Sequence, residues 1–538
     1  MRHKFILLCA CLLCFFFFVD CCDTKDDGIT NPPPEEEPEP EIIEPCTSTV
    51  IHYPSPINSD PDPIIELNDV TIGWISRLPT IEYVWGSSHP QIEGWPSPGQ
   101  EVTWKAYIKN WSDSLKNDIK YQWLLDGVMV DSGRIDLLPR VYSTVDYRWN
   151  WTFNRHELTF WADTDNGISN KLTINTDAIS LGLYVEQSFY DYFHENQHKL
   201  GIGSNSFEGW AQRQIRFYNE LFKRAIFDET PNGVLDRIRI DQITIVADGA
   251  LPLVQPAGNT AFDPRQAIPN LNDRTVDLQW GFPSEFVQIG PYSNHTWVNF
   301  DNQFYYSGFL QHELGHARYL IDAYGFDLAH GLSLVDIKEN GQLIAGTKYL
   351  PGETIVVNGI EVLKLHQTVE KGLMNAQWRW MDRYGAITMN LIEGQRATLG
   401  NYNGAENEGI FLNDLPGENR FRIKDKDGKF LKNAQIHIFQ SSMNSQTIGA
   451  AYPKYFDDVP DLVLQTDENA QVLLGQNPFS NVGQVKHEWK VFSNVIFIMR
   501  IEYESAVGYK IVEASRFNIE YWRGNTELAD YEVCVTLF

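Results

Sequence analysis

Cysteine is scarce where it could shape the fold. The seven cysteines are Cys9, Cys11, Cys14, Cys21, Cys22, Cys46 and Cys534, and only the last two lie beyond residue 22. Two cysteines cannot build a disulfide framework or hold a structural zinc by themselves, so any metal must be bound by histidines and carboxylates. Positive charge is also short: 43 Lys and Arg face 71 Asp and Glu, for a formal net charge of −28. A polyanion repels phosphate backbones, which argues against nucleic acid as a partner. Past the N-terminus no apolar stretch is long enough for a transmembrane helix. Gly-x-Ser-x-Gly is absent, so a serine-hydrolase elbow finds no support. Gly201-Ile202-Gly203 is not a nucleotide fingerprint, and no internal repeat of fixed period runs through the chain.

What is present suggests several folded units. The 538 residues are 43% hydrophobic and 13% aromatic, enough apolar material for three or four domains. The N-terminus reads as a targeting segment: Arg2 and Lys4 precede an uninterrupted apolar run from Phe5 to Val19. Cys21 and Cys22 close that run, and the chain turns polar at Asp23-Thr24-Lys25-Asp26-Asp27. This resembles a bacterial lipoprotein signal, in which a cysteine at the cleavage point is acylated. The acidic run after it is similar to the surface-export signal of some Gram-negative lipoproteins. The resemblance implies a signal peptide over residues 1–22, acylation at Cys22 or else Cys21, and a cell-surface lipoprotein of the outer membrane. Plain secretion as a soluble protein is the alternative.

Residues 23–65 read as a linker, stiff and self-repelling at Pro32-Pro33-Pro34, Glu35-Glu36-Glu37 and Pro38-Glu39-Pro40-Glu41. From 66 to 178 the period is two. Val102, Trp104, Ala106 and Ile108 alternate with Thr103, Lys105, Tyr107 and Lys109, and Asp126-Gly127 supplies a hairpin turn. A β-sandwich is expected, and the segment resembles the Ig-like modules of bacterial surface proteins. Residues 179–415 mix helical spacing with a few strands, which predicts an α+β domain. Helices are expected over Leu183–Phe193, Phe207–Phe227 and Ser307–Asp322, with strands over Arg237–Val246 and Thr275–Trp280. Period two returns over 416–538, predicting a C-terminal β-sandwich. There Phe421 and Ile423, the Asp427-Gly428 turn, and Ala434, Ile436 and Ile438 read as strand, hairpin and strand.

The chemical signal is the run Phe309 to Asp322. Leu310, Leu314, Ala317 and Ile321 mark an amphipathic helix. His312 and His316 then lie one turn apart on one face and can grip a single zinc ion. Glu313, beside them, can take a proton from a zinc-bound water. Catalytic zinc needs a third protein ligand and one open position.

Here the sequence resembles the metzincin clan of zinc peptidases, whose motif is H-E-x-x-H-x-x-G-x-x-H, with Asp last in the snapalysin-like branch. The last position of that motif falls on Asp322, followed by Ala323-Tyr324. The resemblance implies a zincin-type peptidase fold for the central domain, Asp322 as third zinc ligand, and Tyr324 as an oxyanion donor. The clan's glycine, which lets the chain turn sharply out of the helix, is replaced by Tyr319. Glu370, His330 and His366 therefore stand as other candidates for the third ligand. The clan's methionine turn is resembled by Gly372-Leu373-Met374-Asn375, in a chain with seven methionines. A hairpin around Asn358-Gly359 would fill the long gap before it. The implied activity is zinc-dependent cleavage of extracellular proteins or glycoproteins. The rival is a surface adhesion or glycan-binding lipoprotein with an inactive peptidase-like domain. Asp163, Asp165, Asn166 and Gly167 resemble a calcium loop without its closing Glu, so they read as a solvated turn.

Overall fold

The computed structural model describes residues 54, 56–58, 70–82, 94–164, 171–200, 206–251, 270, 272–282, 284, 308–316, 318–326, 333–337, 343–345, 355–357, 360–362, 372–375, 379–396, 410–441, 454–479 and 495–537. Segment 1–22 with Cys21 and Cys22, nearly all of the 23–65 linker, and His330, His366, Glu370, Asp165, Asn166 and Gly167 lie outside them. Within the described residues the chain is mostly β and has more than one domain, with one apolar core in the N-terminal sandwich and another through the remainder.

The N-terminal strands are β1 (Val70–Leu78), β2 (Glu101–Asn110), β3 (Lys116–Leu125), β4 (Val128–Leu137), β5 (Tyr142–Asn150), β6 (Glu157–Ala162) and β7 (Lys171–Asn175). They form two antiparallel sheets, ordered β1-β2-β5 and β4-β3-β6-β7. On β2 the alternate residues Val102, Trp104, Ala106 and Ile108 are buried, and across the sandwich they share a core with Trp123, Leu158 and Phe160. Sheet pleating puts alternate side chains on opposite faces, so period two in the sequence becomes one apolar face per sheet. Asp126 and Gly127 both take positive φ, +49° and +79°, as a two-residue hairpin of matched twist requires.

The chain then enters a parallel sheet ordered β10-β8-β9, built from β8 (Ile179–Glu186), β9 (Ile238–Val246) and β10 (Leu278–Phe282). Helices α1 (Gln187–Leu200) and α2 (Phe207–Arg224) connect β8 to β9. Ser206 caps α2, its hydroxyl accepting from the Gly209 amide at 3.1 Å. This sheet corrects two expectations. The helix expected over Leu183–Phe193 is a strand to Glu186 and a helix from Gln187. Every residue of β8 is buried, because it is the middle strand. A short strand buried on both faces does not show its period. The second candidate strand runs over Leu278–Phe282 rather than from Thr275. The sandwich meets this unit at a buried polar knot. Lys109 Nζ donates to Tyr190 Oη at 2.8 Å, and the Tyr190 and Tyr142 hydroxyls donate to the fully buried Glu208 carboxylate.

Helix α3 (Gly308–His316) follows, then β11 (Ser333–Ile337) paired with β12 (Leu343–Ala345), and β13 (Ile355–Val357) paired with β14 (Ile360–Val362). Helix α4 (Arg383–Leu391) precedes the C-terminal strands. These are β15 (Glu418–Asp425), β16 (Gln435–Gln440), β17 (Lys454–Tyr455), β18 (Leu462–Gln465), β19 (Gln471–Gly475), β20 (Ile496–Tyr503), β21 (Ala506–Glu513) and β22 (Leu528–Val535). Helix α5 (Ala514–Trp522) lies between the last two. The sheets are β19-β15-β22 and β18-β16-β20-β21. β15 and β16 are therefore not the hairpin expected from the Asp427-Gly428 turn. The turn forms locally, with Lys429 N–H donating to the Asp425 carboxylate at 2.9 Å, but the next strand joins the other sheet. Cys534, on β22, is disulfide-bonded. No described helix is long and apolar enough to cross a membrane.

Candidate metal centre

Leu310 and Leu314 set the inner face of α3, both buried in the larger core, and Gln311 Nε2 donates to the Gln214 carbonyl of α2 at 3.3 Å. The helix expected to reach Asp322 stops at His316. Arg318 N–H and Leu320 N–H both donate to the Gly315 carbonyl, at 2.8 and 3.1 Å. The second bond is the closing contact of a Schellman-type helix end, which needs a left-handed residue just before it. Tyr319 is that residue, at φ +65°. The tyrosine in the glycine position thus adopts the conformation glycine would supply, and its side chain is buried.

The turn returns the chain to the helix and brings Asp322 to His312, with Nε2 and Oδ1 2.9 Å apart. His312 is 9% exposed and Asp322 3%. On the other side of the ring, His312 Nδ1–H donates to the Leu373 carbonyl at 3.0 Å. That bond assigns the proton of the neutral ring to Nδ1, so Nε2 presents a lone pair to a carboxylate oxygen. Two acceptors at this distance repel unless a proton or a cation lies with them. An imidazole nitrogen and a carboxylate oxygen, buried side by side, are donor types that suit zinc.

Among the described residues no three His, Cys, Asp or Glu side chains form a cluster. The other expected motif ligand, His316, is on the same helix, but its side chain and that of Glu313 lie outside the described ones. Tyr324 falls in a 3-10 turn, Ala323–Phe326, directly after Asp322, and its side chain is likewise outside them.

Beneath the pair sits the turn 372–375, closed by Asn375 N–H donating to the Gly372 carbonyl at 2.9 Å. Its two middle carbonyls are both engaged. Leu373 O holds the His312 ring, and Met374 O accepts from Ala323 N–H at 2.9 Å, one residue after Asp322. Met374 is buried, and its sulfur would lie 2.9 Å from a Cβ added at Gly315. A larger residue at Gly315 would make the methionine side chain shift.

Two residues around this site carry no mark in the motif. Asp382 is the N-cap of α4, Oδ1 accepting from Gly385 N–H at 2.6 Å. Burial raises its carboxyl above the usual range, against the amides of Gly385, Asp382 itself and Met374 and the nearby His312, which favour the charged form. An Asp immediately before a stretch of helical spacing is a cap signal that could have found it. Arg318 pairs with buried Asp236 and donates to the carbonyls of Gln395 and Ile392 at 2.9 and 3.2 Å. It sits inside the motif with no spacing rule to mark it.

No family model and no curated protein sequence matches the chain. Among solved structures, a CARDB domain of Pyrococcus furiosus aligns at TM-score 0.15 and 13% identity, over 21% of this chain and 94% of that one. A domain of a putative cell surface protein from Methanosarcina acetivorans aligns at 0.15 and 21% identity, over 20% and 90%. A calcium-binding mutant of Bacteroides uniformis β-glucuronidase 2 aligns at 0.17 and 8% identity, over 87% and 63%. Likeness this slight carries no argument about this chain's chemistry.

Proposed function

We propose that this chain is a zinc-dependent endopeptidase, held at the outer-membrane surface by a lipid on Cys22 or Cys21, that cleaves extracellular proteins or glycoproteins. One observation carries the reading. His312 Nε2 and Asp322 Oδ1 meet at 2.9 Å across a left-handed turn at Tyr319, over a turn that carries Met374. The central domain is read as zincin-type on that local geometry.

His312, His316 and Asp322 would hold the zinc. Bound zinc supplies a water of pKa about 7 and a Lewis acid for the scissile carbonyl. Glu313 takes the proton of the attacking water and hands it to the leaving amine. The Tyr324 hydroxyl donates to the oxygen that gains charge. The Leu373 carbonyl keeps the His312 proton on Nδ1, so that Nε2 stays a donor to the metal.

Purified protein is expected to carry close to one zinc and to lose peptide hydrolysis when a chelator removes it. Glu313→Gln keeps the shape and removes the proton acceptor. It should retain zinc and lose hydrolysis by roughly 10²-fold or more. Asp322→Ala should lose zinc, and Asp322→His should partly recover it. Metal-free protein that still cleaves peptides overturns the proposal. Full zinc retention by Asp322→Ala moves the third ligand to Glu370, His330 or His366. The anchor is tested separately: the double variant Cys21→Ser, Cys22→Ser should leave the membrane fraction, and its persistence there removes lipidation from the reading.

A further inference from the structure

We infer that Asp382 is a positioning residue for the metal pair, seating the turn that holds both His312 and the segment after Asp322. The inference rests on reading His312 and Asp322 as ligands, and goes beyond it by naming what keeps them in register.

The turn 372–375 touches both sides of the pair. Its Leu373 carbonyl fixes the His312 ring at 3.0 Å, and its Met374 carbonyl fixes the Ala323 amide at 2.9 Å. A shift of this turn therefore moves both candidate ligands together. The turn itself rests on Asp382. Gly372 packs so closely that a Cβ there would lie 2.3 Å from Asp382 N and 2.7 Å from its Cβ. No side chain fits between them. The Asp382 carboxylate is 2% exposed, its Oδ1 spans to Gly385 N–H at 2.6 Å, and the Met374 amide favours its charged form. Oδ2 makes no hydrogen bond among the described residues. A helix cap needs one carboxylate oxygen. A second buried oxygen is more than a cap requires.

Helix α4 extends the seat into a strut. Asp382 begins it beneath Met374, and just past its end the carbonyls of Ile392 and Gln395 accept from the Arg318 guanidinium. Arg318 is the residue before the left-handed Tyr319. The two ends of the strut thus touch the two places that set the His312–Asp322 distance: the turn under the ring, and the corner that returns the chain.

The test compares Asp382→Asn with Asp382→Ala. Asparagine keeps one oxygen for Gly385 N–H, so the cap survives, and it places an amide group where the second oxygen was. Two quantities are read. One is zinc affinity by competition with a chelator. The other is the His312 tautomer in metal-free protein, from nitrogen chemical shifts of labelled histidine. Wild type should show Nδ1 protonated throughout, held by the Leu373 carbonyl. Asp382→Asn should fold, show mixed tautomers at His312, and bind zinc about 10- to 100-fold more weakly, the scale of second-layer changes at zinc sites. Asp382→Ala should do the same or worse and also lose helix stability. If Asp382→Asn keeps both the tautomer and the wild-type zinc affinity, Asp382 is a helix cap only and the inference fails. If wild type takes up no zinc, the peptidase reading fails, while the metal-free tautomer still decides the seat.

Discussion

Tyr319 places two effects of opposite sign in one residue. At φ +65° a non-glycine backbone costs roughly 1–2 kcal/mol, which glycine would remove. The ring, however, is 1% exposed, and deleting a buried aromatic costs roughly 3–5 kcal/mol. Loss of the ring outweighs relief of the backbone, so Tyr319→Gly should destabilise the metal-free protein by roughly 2–3 kcal/mol despite restoring the residue the metzincin motif carries. Its zinc affinity should stay near wild type, because glycine makes the same corner. Urea unfolding measures the first and chelator competition the second. An unchanged or raised unfolding midpoint would mean that the buried ring contributes little. The offset from His312 to Asp322 was legible in the sequence. That a tyrosine makes the corner was not, since backbone conformation at one residue is decided by what its side chain packs into.

At the scale of elements, legibility followed periodicity. Strand β2 and helix α2 each bury one face, so their periods of 2 and 3.6 are visible in the sequence. β8 buries both faces and has no period to read, so Leu183 to Glu186 run on in the sequence into the helical spacing after them. The apolar positions Leu310, Leu314, Ala317 and Ile321 suggested a helix four turns long. The described helix ends at His316, and Ile321 packs into the same core beside Leu320 from a reversed chain. Apolar spacing records which residues are buried, not whether one continuous helix buries them. The same limit applies to β15 and β16. Their turn residues were correctly read as a local reversal, but the choice of partner strand depends on sequence-distant β19, β20 and β22.

For the whole molecule, the sandwich and the parallel sheet are joined through buried charge. Arg396 Nε donates to Asp277 Oδ1 at 2.6 Å, while its other nitrogens reach the carbonyls of Ile81 and Gly94 on the sandwich side and Thr275 on the other. Burial alone would raise the Asp277 carboxyl. The Arg396 guanidinium and the amide and hydroxyl of Ser180 outweigh it and hold the carboxyl below its usual range. A depressed carboxyl stabilises the fold above its unfolded pKa and loses that contribution as pH falls through the folded value. The effect should thus be complete at neutral pH and begin to fade only below about pH 4. Asp277→Ala leaves the guanidinium buried and uncompensated, and should cost about 3–5 kcal/mol at pH 7. The difference from wild type should shrink in acid. Urea titrations at pH 7 and pH 3.5 measure both, and a difference that does not change with pH would assign the loss to packing alone.

By itself the sequence determined the alternating strands of the N-terminal sandwich, the acidic surface, and the His312, Glu313, His316 and Asp322 spacing. Each of these is written in neighbouring residues or in simple counts. Tertiary structure alone decided that the helix ends at His316, that Leu373 and Met374 offer their carbonyls to the two sides of the His312–Asp322 pair, and that Asp382 and Arg318 brace it from either end of α4. The carbonyl contacts join residues some 50 to 80 positions apart, and backbone carbonyls carry no residue-specific mark, so only the folded chain could bring them into view.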